Sequence, residues 1–266
     1  YCIGEEKKIM EDFTEEEFDS AYKKVFESVT KTGIPQKQHC VIFLGGQPGS
    51  GKSSFYSQDD ILCNHIVIDG DRYRRFHPYY ESIVKDDIDN YVQRTQGFVN
   101  KCIERLIDDL SDEGYNLIIE GTLRDPNIPI NTCQMLKGKG YTTTMYIVAV
   151  DACTSWESSI NRAYLLAKDN HMPRLVPFDK YDRIVNGLPD SLSKIEDNGC
   201  FDNINVINRD NKLLYPGSSY FSPSAALSSV LDLDKWNRKK TEYEDAFIDV
   251  KIDVLKEQKR IRHRGR

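Results

Sequence analysis

The chain has no Cys-x-x-Cys pair, no His-Glu-x-x-His and no internal repeat or low-complexity block. Its seven cysteines (Cys2, Cys40, Cys63, Cys102, Cys133, Cys153 and Cys200) are scattered and odd in number. That pattern speaks against a disulfide frame or a zinc site and for free thiols in a reducing compartment. The five histidines are equally dispersed. No apolar run approaches the roughly 18 residues that would announce a membrane span. The first residues, YCIGEEKKIMEDF, lack the basic start and long apolar stretch of a secretory signal, so cytoplasm is the expected location. An excess of basic residues is also missing. Lys plus Arg total 36 against 42 for Asp plus Glu, a formal charge of −6. An acidic body is a poor default for a nucleic-acid binder, which needs a positive footprint. It leaves room for a small anionic substrate in a local basic pocket. Disorder, collagen and a membrane bundle are excluded by 39% hydrophobic, 29% charged and 11% aromatic residues. At 266 residues, one large domain or a domain with a sizeable appendage is expected.

What is present is an alternation of short β-branched runs and helical patterns, the signature of an α/β fold with a largely parallel sheet. The runs CVIFLG at 40–45, HIVID at 65–69, YNLIIEG at 115–121, TTTMYIVAV at 142–150 and NINVINR at 203–209 read as five strands. Runs that are apolar throughout suit strands covered on both faces. Ile88, Tyr91, Val92, Phe98, Val99, Cys102, Ile103, Leu106 and Leu110 recur at helical spacing and predict one long amphipathic helix over 87–110. Thr14 followed three residues later by Glu17 is a capping-box pattern before Phe18, Tyr22, Val25 and Phe26. Segments 154–168 and 178–200 also read as helical, and two more helices are expected after Ser222. The last eleven residues, KEQKRIRHRGR, are basic and read as a frayed, solvated helix end, with a nucleic-acid or membrane contact as the minority alternative. His77-Pro78 reads as a turn or helix start.

The strongest local signal is Gly46-Gln47-Pro48-Gly49-Ser50-Gly51-Lys52-Ser53, which fits G-x-x-x-x-G-K-[ST] and directly follows an apolar strand. A chain wrapped round a triphosphate must turn successive N–H groups inward, and that needs glycines. A helix following the loop would add its positive end. Lys52 would reach the β- and γ-phosphates as a point charge. Ser53 would offer a hydroxyl to magnesium (Mg2+), a hard cation that prefers oxygen. The bland alternative is a chance glycine turn.

Asp69 and Asp71 stand where the second strand ends, in the crevice where ligands of open α/β sheets bind. One could deprotonate an acceptor hydroxyl while the other caps the next helix, or both could be caps. Asp71 is preferred as the base because it lies further past the strand. Glu120 ends the third strand in the position of an acidic Walker B group and could bind Mg2+ through water, hold substrate, or be a plain surface carboxylate. Arg124 follows it closely. Phosphoryl transfer also needs positive charge around the moving group. Arg162, on an expected helix, and Arg174, beyond its end, are the candidates, each of them alone an ordinary surface arginine.

Taken together, GGQPGSGKS, VIDGDRYRRFHPYY, GYNLIIEGTLRD and the Arg162/Arg174 segment resemble the zeta toxins of the epsilon/zeta and Pez toxin–antitoxin systems. The resemblance runs from about Phe13 to Tyr215. It implies a P-loop kinase fold that uses ATP and Mg2+ to phosphorylate a sugar hydroxyl of UDP-N-acetylglucosamine, starving cell-wall synthesis. On that resemblance, Gly46 to Ser53 form the nucleotide loop and Asp71 is the catalytic base. Glu104, Glu120, Thr122, Arg124 and Thr132 match sugar-nucleotide contacts, and Arg162 and Arg174 match the arginine pair facing the transferred phosphate. Leu123 and Asp125-Pro126 depart from the small or hydroxyl residues expected beside the EGT run. The resemblance further implies an epsilon-type antitoxin, a small helical protein that occludes the nucleotide site in a heterotetramer. It gives a kinase domain over 1–218 and a helical extension with a basic tail over 219–266. Two other readings stay open: a P-loop kinase for another small-molecule or polynucleotide hydroxyl, and a nucleotide-gated binding module. The latter would need a guanine-reading element, for which Asn208-Arg209-Asp210 has the wrong spacing.

Overall fold

The structure, a computed structural model, describes residues 13–57, 64–88, 90–169, 171–217 and 219–264. They fall into two compact units, one of described residues 13–38 and 64–117, the other of 39–57 and 118–264. The sheet has six strands in the order β2-β3-β1-β4-β5-β6: β1 Cys40–Gly45, β2 His65–Ile68, β3 Asn116–Glu120, β4 Thr142–Val148, β5 Asn203–Ile207 and β6 Leu213–Tyr215. β3 begins in the first unit and ends in the second. All five expected strands are present. β6, the three residues Leu213–Tyr215, is an addition, too short to stand out in the sequence.

In the second unit, β1 and β4 pair in parallel with Leu44 opposite Tyr146, and β4 and β5 pair in parallel with Ile147 opposite Val206. β6 is antiparallel to β5. The backbone just past β3 continues the ladder, with the Gly121 amide donating to the Leu44 carbonyl at 3.0 Å. Parallel strands need crossover helices on the sheet faces, and Val41, Phe43 and Leu44 of β1 and Thr143, Met145, Ile147 and Val148 of β4 are buried accordingly. The crossovers in this unit are α6 Asn127–Gly138, α7 Ala152–Lys168 and α8 Phe178–Asn198. α8 stops at Gly199, which adopts the left-handed conformation (φ 69°).

The first unit holds α1 Glu15–Thr30, α2 Gly70–Tyr73, α3 Tyr80–Asp86, α4 Tyr91–Arg94 and α5 Gln96–Asp112. The capping box at Thr14 and Glu17 forms as the sequence requires. Phe13, Phe18 and Phe98 interlock with His77 in edge-to-face and stacked pairs. His77 heads a turn, its Nδ1 accepting from the Tyr79 amide at 3.1 Å.

The single helix expected over 87–110 is corrected to two. Asp87 ends α3, Ile88 lies in a turn, and Thr95 separates α4 from α5. The cause is a buried cation. The Arg74 guanidinium donates to the Val92 carbonyl at 2.9 Å and to Thr95 Oγ1 at 3.0 Å. It takes a carbonyl that a continuous helix would have used for itself, because a buried guanidinium needs every acceptor in reach.

The C-terminal segment forms two helices, α9 Pro223–Leu231 with Ser222 as its cap, and α10 Leu233–Arg264. α10 lies along α7, burying Trp236 with Trp156, Phe178 and Tyr181. Farther along it, Val254 packs with Ala163 and Ala167, flanked by Tyr164, Leu175 and Val250. Within the basic end, Gln258 is fully buried, so the expectation of a wholly solvated end does not hold at that residue. No helix among the described residues is long and apolar enough to cross a membrane.

Candidate active site

The phosphate loop leaves β1 at Gly45 and runs to Lys52. Gly46, Gly49 and Gly51 have φ of 140°, 76° and 90°. Gly46 and Gly49 show why no side chain is tolerated. A Cβ on Gly46 would stand 2.9 Å from the Val148 carbonyl, and one on Gly49 would run into the backbone carbonyl of Ser155. The loop is therefore pressed against the end of β4 and the first turns of α7. Gln47 braces it from within, donating from Nε2 to the Val150 carbonyl at 2.7 Å and to Ser155 Oγ at 3.0 Å. Gln47 and Ser50 are fully buried, yet Gln47 Oε1 and Ser50 Oγ have no hydrogen-bond partner. Orphaned polar atoms in a glycine-lined cradle fit a loop made to receive a polar ligand. Pro48, between them, is half-buried.

The segment after the loop departs from expectation. Lys52–Ser57 is a 3₁₀-helix rather than the start of an α-helix, opened by the Ser54 amide bonding the Gly51 carbonyl at 2.9 Å. Lys52 Nζ donates to the Gly46 carbonyl at 2.8 Å and the Gln47 carbonyl at 3.2 Å, so its ammonium lies across the loop's entrance strand. Ser53 is exposed. Ser53 and Glu120 are oxygen donors of the kind Mg2+ takes.

Glu120, Lys52 and Arg162 form one electrostatic group. Burial pushes the Glu120 carboxyl above the usual range, and the positive charges of Lys52 and Arg162 pull it back. Arg162 is exposed on α7, and Arg174 is half-buried in the segment after α7. Thr122 lies half-buried in the turn after β3, and Arg124 is exposed. Between them Leu123 has φ 53°, with its carbonyl accepting from Ser191 Oγ at 2.5 Å and its side chain against Gly45. The sequence departure at Leu123 is thus a buried wedge at the base of the loop. Thr132 sits on α6 with Oγ1 donating to the Ile128 carbonyl at 2.9 Å.

Asp71 and Glu104 belong to the first unit. The two aspartates have different surroundings there. Asp69 is the cap of α2, its Oδ1 accepting from the Asp71 amide at 3.1 Å. Asp71 is the second residue of α2, and its Oδ1 accepts from Arg74 Nε at 3.2 Å. Arg74, drawn below the usual guanidinium range by burial, is itself tied to Gln96 Oε1 at 2.8 Å. Glu104 is exposed on α5.

Sequence reasoning missed Arg209. It follows β5 and donates to the carbonyls of Gly49 and Ser50 and to Ser158 Oγ. Its place just past the carboxyl end of a strand was the available signal.

The family model described as Zeta toxin matches residues 24–219. The chain is 36% identical over 231 residues to Toxin zeta of Streptococcus agalactiae, covering 86% of this chain and 79% of that protein. It is 33% identical over 232 residues to Toxin PezT of Streptococcus pneumoniae, covering 86% and 92%. A solved structure from work on the PezAT chromosomal toxin–antitoxin system of Streptococcus pneumoniae superposes with a TM-score of 0.73 at 30% identity, covering 92% of this chain and 98% of that one. An AvrRxo1-ORF1:ORF2 complex described with ATP shares the fold alone, at a TM-score of 0.55 and 10% identity. A glycine-built phosphate loop on a mostly parallel sheet and a family match over most of its length make this chain a member of the zeta toxin family, with a P-loop kinase-like fold.

Proposed function

We propose that the chain is an ATP-dependent kinase that phosphorylates a hydroxyl of UDP-N-acetylglucosamine or a related UDP-sugar, and that it is the toxin of a toxin–antitoxin pair. The observation that carries the kinase reading is the loop itself: glycines at positive φ, orphaned polar atoms within, and Lys52, Glu120 and Arg162 grouped by charge. Family membership supplies the rest of the reading. Residues 1–218 are the kinase domain and 219–266 its helical extension.

The mechanism is one of positioning and charge, which supply most of the catalysis in phosphoryl transfer. The loop Gly46 to Ser53 wraps the phosphates of ATP with its free backbone amides, and Lys52 neutralises the β- and γ-oxygens. Ser53, with Glu120 near the loop, would hold Mg2+, whose charge would offset that of the phosphates. Asp71 takes the proton of the acceptor hydroxyl, its carboxylate held in place by Arg74. Arg162 and Arg174 stabilise charge on the moving phosphoryl group. Glu104, Glu120, Thr122, Arg124 and Thr132 orient the sugar nucleotide. An epsilon-type antitoxin, blocking the nucleotide site, is the partner this reading expects; the match to a PezAT structure supports it.

The mass of the product after incubation with ATP and UDP-N-acetylglucosamine tests the reading. A UDP-sugar heavier by one phosphoryl group supports it. An unchanged UDP-sugar beside a phosphorylated 5′-hydroxyl oligonucleotide would replace it with a polynucleotide kinase.

A further inference from the structure

A phosphate loop works only if its amides face the anion, and each peptide that turns its N–H inward turns its C=O outward. An outward carbonyl in a partly buried wall needs a donor of its own. Here that donor is Arg209. Its Nε lies 3.2 Å from the Ser50 carbonyl, and its Nη2 contacts the Gly49 carbonyl at 2.5 Å and Ser158 Oγ at 2.9 Å. A guanidinium suits this task because its fork presents several donors in one plane.

The arginine is itself held by a structured turn between β5 and β6. Asn208 Oδ1 accepts from the amides of Asp210 (3.0 Å) and Lys212 (2.9 Å). The Arg209 carbonyl accepts from Ser54 Oγ at 3.0 Å, and Asn211 Nδ2 donates to the Ser54 carbonyl at 3.2 Å. The turn therefore grips both the loop and the 3₁₀-helix after it. Gly51 completes the fit, since a Cβ there would press on Arg209 Cγ at 3.3 Å. Asn208-Arg209-Asp210, whose spacing suits no guanine reader, has this role instead.

We propose that Arg209 is the positioning residue of the phosphate loop: from outside it binds the Ser50 carbonyl, which keeps the Gly51 amide turned toward the phosphates, and the Gly49 carbonyl, whose peptide closes the loop's inner turn through the Ser50 amide on the Gln47 carbonyl at 3.1 Å. The inference rests on the nucleotide-binding reading above and adds a residue to it.

Calorimetric titration of the full chain with ATP tests it, with Arg209→Gln, Arg209→Lys and Ser158→Ala beside the unmodified chain. Arg209→Gln is expected to weaken ATP binding about tenfold or more, about 1.4 kcal/mol per tenfold, with an unchanged number of binding-competent sites per chain. Arg209→Lys, which keeps the charge but lacks the fork, should fall between Gln and the unmodified chain. Ser158→Ala, which spares both carbonyl bonds, should change affinity least. A purely structural role would instead lower the number of competent sites and leave the affinity of the remainder intact, and that result overturns the proposal. So does unchanged ATP binding by both Arg209 variants. Should Arg209→Gln fail to fold, Arg209→Lys decides by the same criteria. If the unmodified chain does not bind ATP, the nucleotide reading itself fails, which is distinguishable from failure of the Arg209 role.

Discussion

Trp236 donates from its indole Nε1 to Asp182 Oδ1 at 2.7 Å, joining the C-terminal helix α10 to α8. Trp236 is fully buried and stacks on Phe178 and Tyr243 with ring centroids 5.8 and 5.7 Å apart. Trp236→Ala should cost about 3–5 kcal/mol of unfolding free energy. Trp236→Phe keeps the aromatic body and loses the hydrogen bond, about 1–2 kcal/mol. Denaturant titration measures both, and undiminished stability in Trp236→Phe would show that the bond to Asp182 contributes nothing.

Gly49 combines φ 76° with a Cβ position occupied by the Ser155 carbonyl. Gly49→Ala must strain the backbone, about 1–3 kcal/mol, and also displace the loop from α7. The expected outcome is a lowered Tm and lost nucleotide binding. A variant with wild-type Tm and ATP affinity would contradict the close approach.

Glu120 makes stability depend on pH in an unusual direction for a carboxylate. Its pKa in the folded chain is raised, chiefly by burial. The native state therefore binds more protons than the unfolded one, and stability falls as pH rises from the ordinary carboxylate range through the raised value. Glu120→Gln should match the wild-type Tm at pH below both values and exceed it above them. Each unit of upward shift is worth about 1.4 kcal/mol. A Tm difference that does not vary with pH would refute the assignment.

Asp71→Asn preserves the shape of the side chain and much of its bond to Arg74 but removes a base. On the kinase reading, kcat should fall by about 100-fold to 10,000-fold, with ATP affinity unchanged in a binding titration. Undiminished turnover would remove Asp71 from the base role.

The segment bearing Arg174 is held by α10. Leu175 packs beside Val250 and Val254, and Gln258 Nε2 lies 3.0 Å from Met172 Sδ. Val254→Ala should open a small cavity, about 1–3 kcal/mol, and loosen that segment. Lower kcat with unaltered ATP affinity is expected, because Arg174 acts on the moving phosphoryl group in this mechanism. Weakened ATP binding with normal kcat would place the helix's role elsewhere.

The elements most legible in the sequence were those whose cause is local. The capping box at Thr14 and Glu17 and the apolar run of β1 each follow from a few neighbouring residues. The break at Thr95 was illegible because its agent, Arg74, lies some twenty residues upstream and acts through space. β6 was illegible because three residues are too few to show a period. Among the site residues, the glycine turn Gly46 to Gly51 was legible, while the 3₁₀-helix after it was not. The division of labour between Asp69 and Asp71 was not, since the two have the same chemistry and only the path of the chain makes one a cap.

Sequence alone determined the glycines of the loop, the lysine and serine behind them, and the five longer strands, because backbone freedom and hydrophobic period are properties of short stretches. Tertiary structure decided which charges meet. Glu120 feels Lys52 and Arg162 across long separations in the chain, and Arg209 reaches a loop some 160 residues before it. Such pairings depend on distance in space, which falls off within a few ångströms and leaves no periodic trace along the chain.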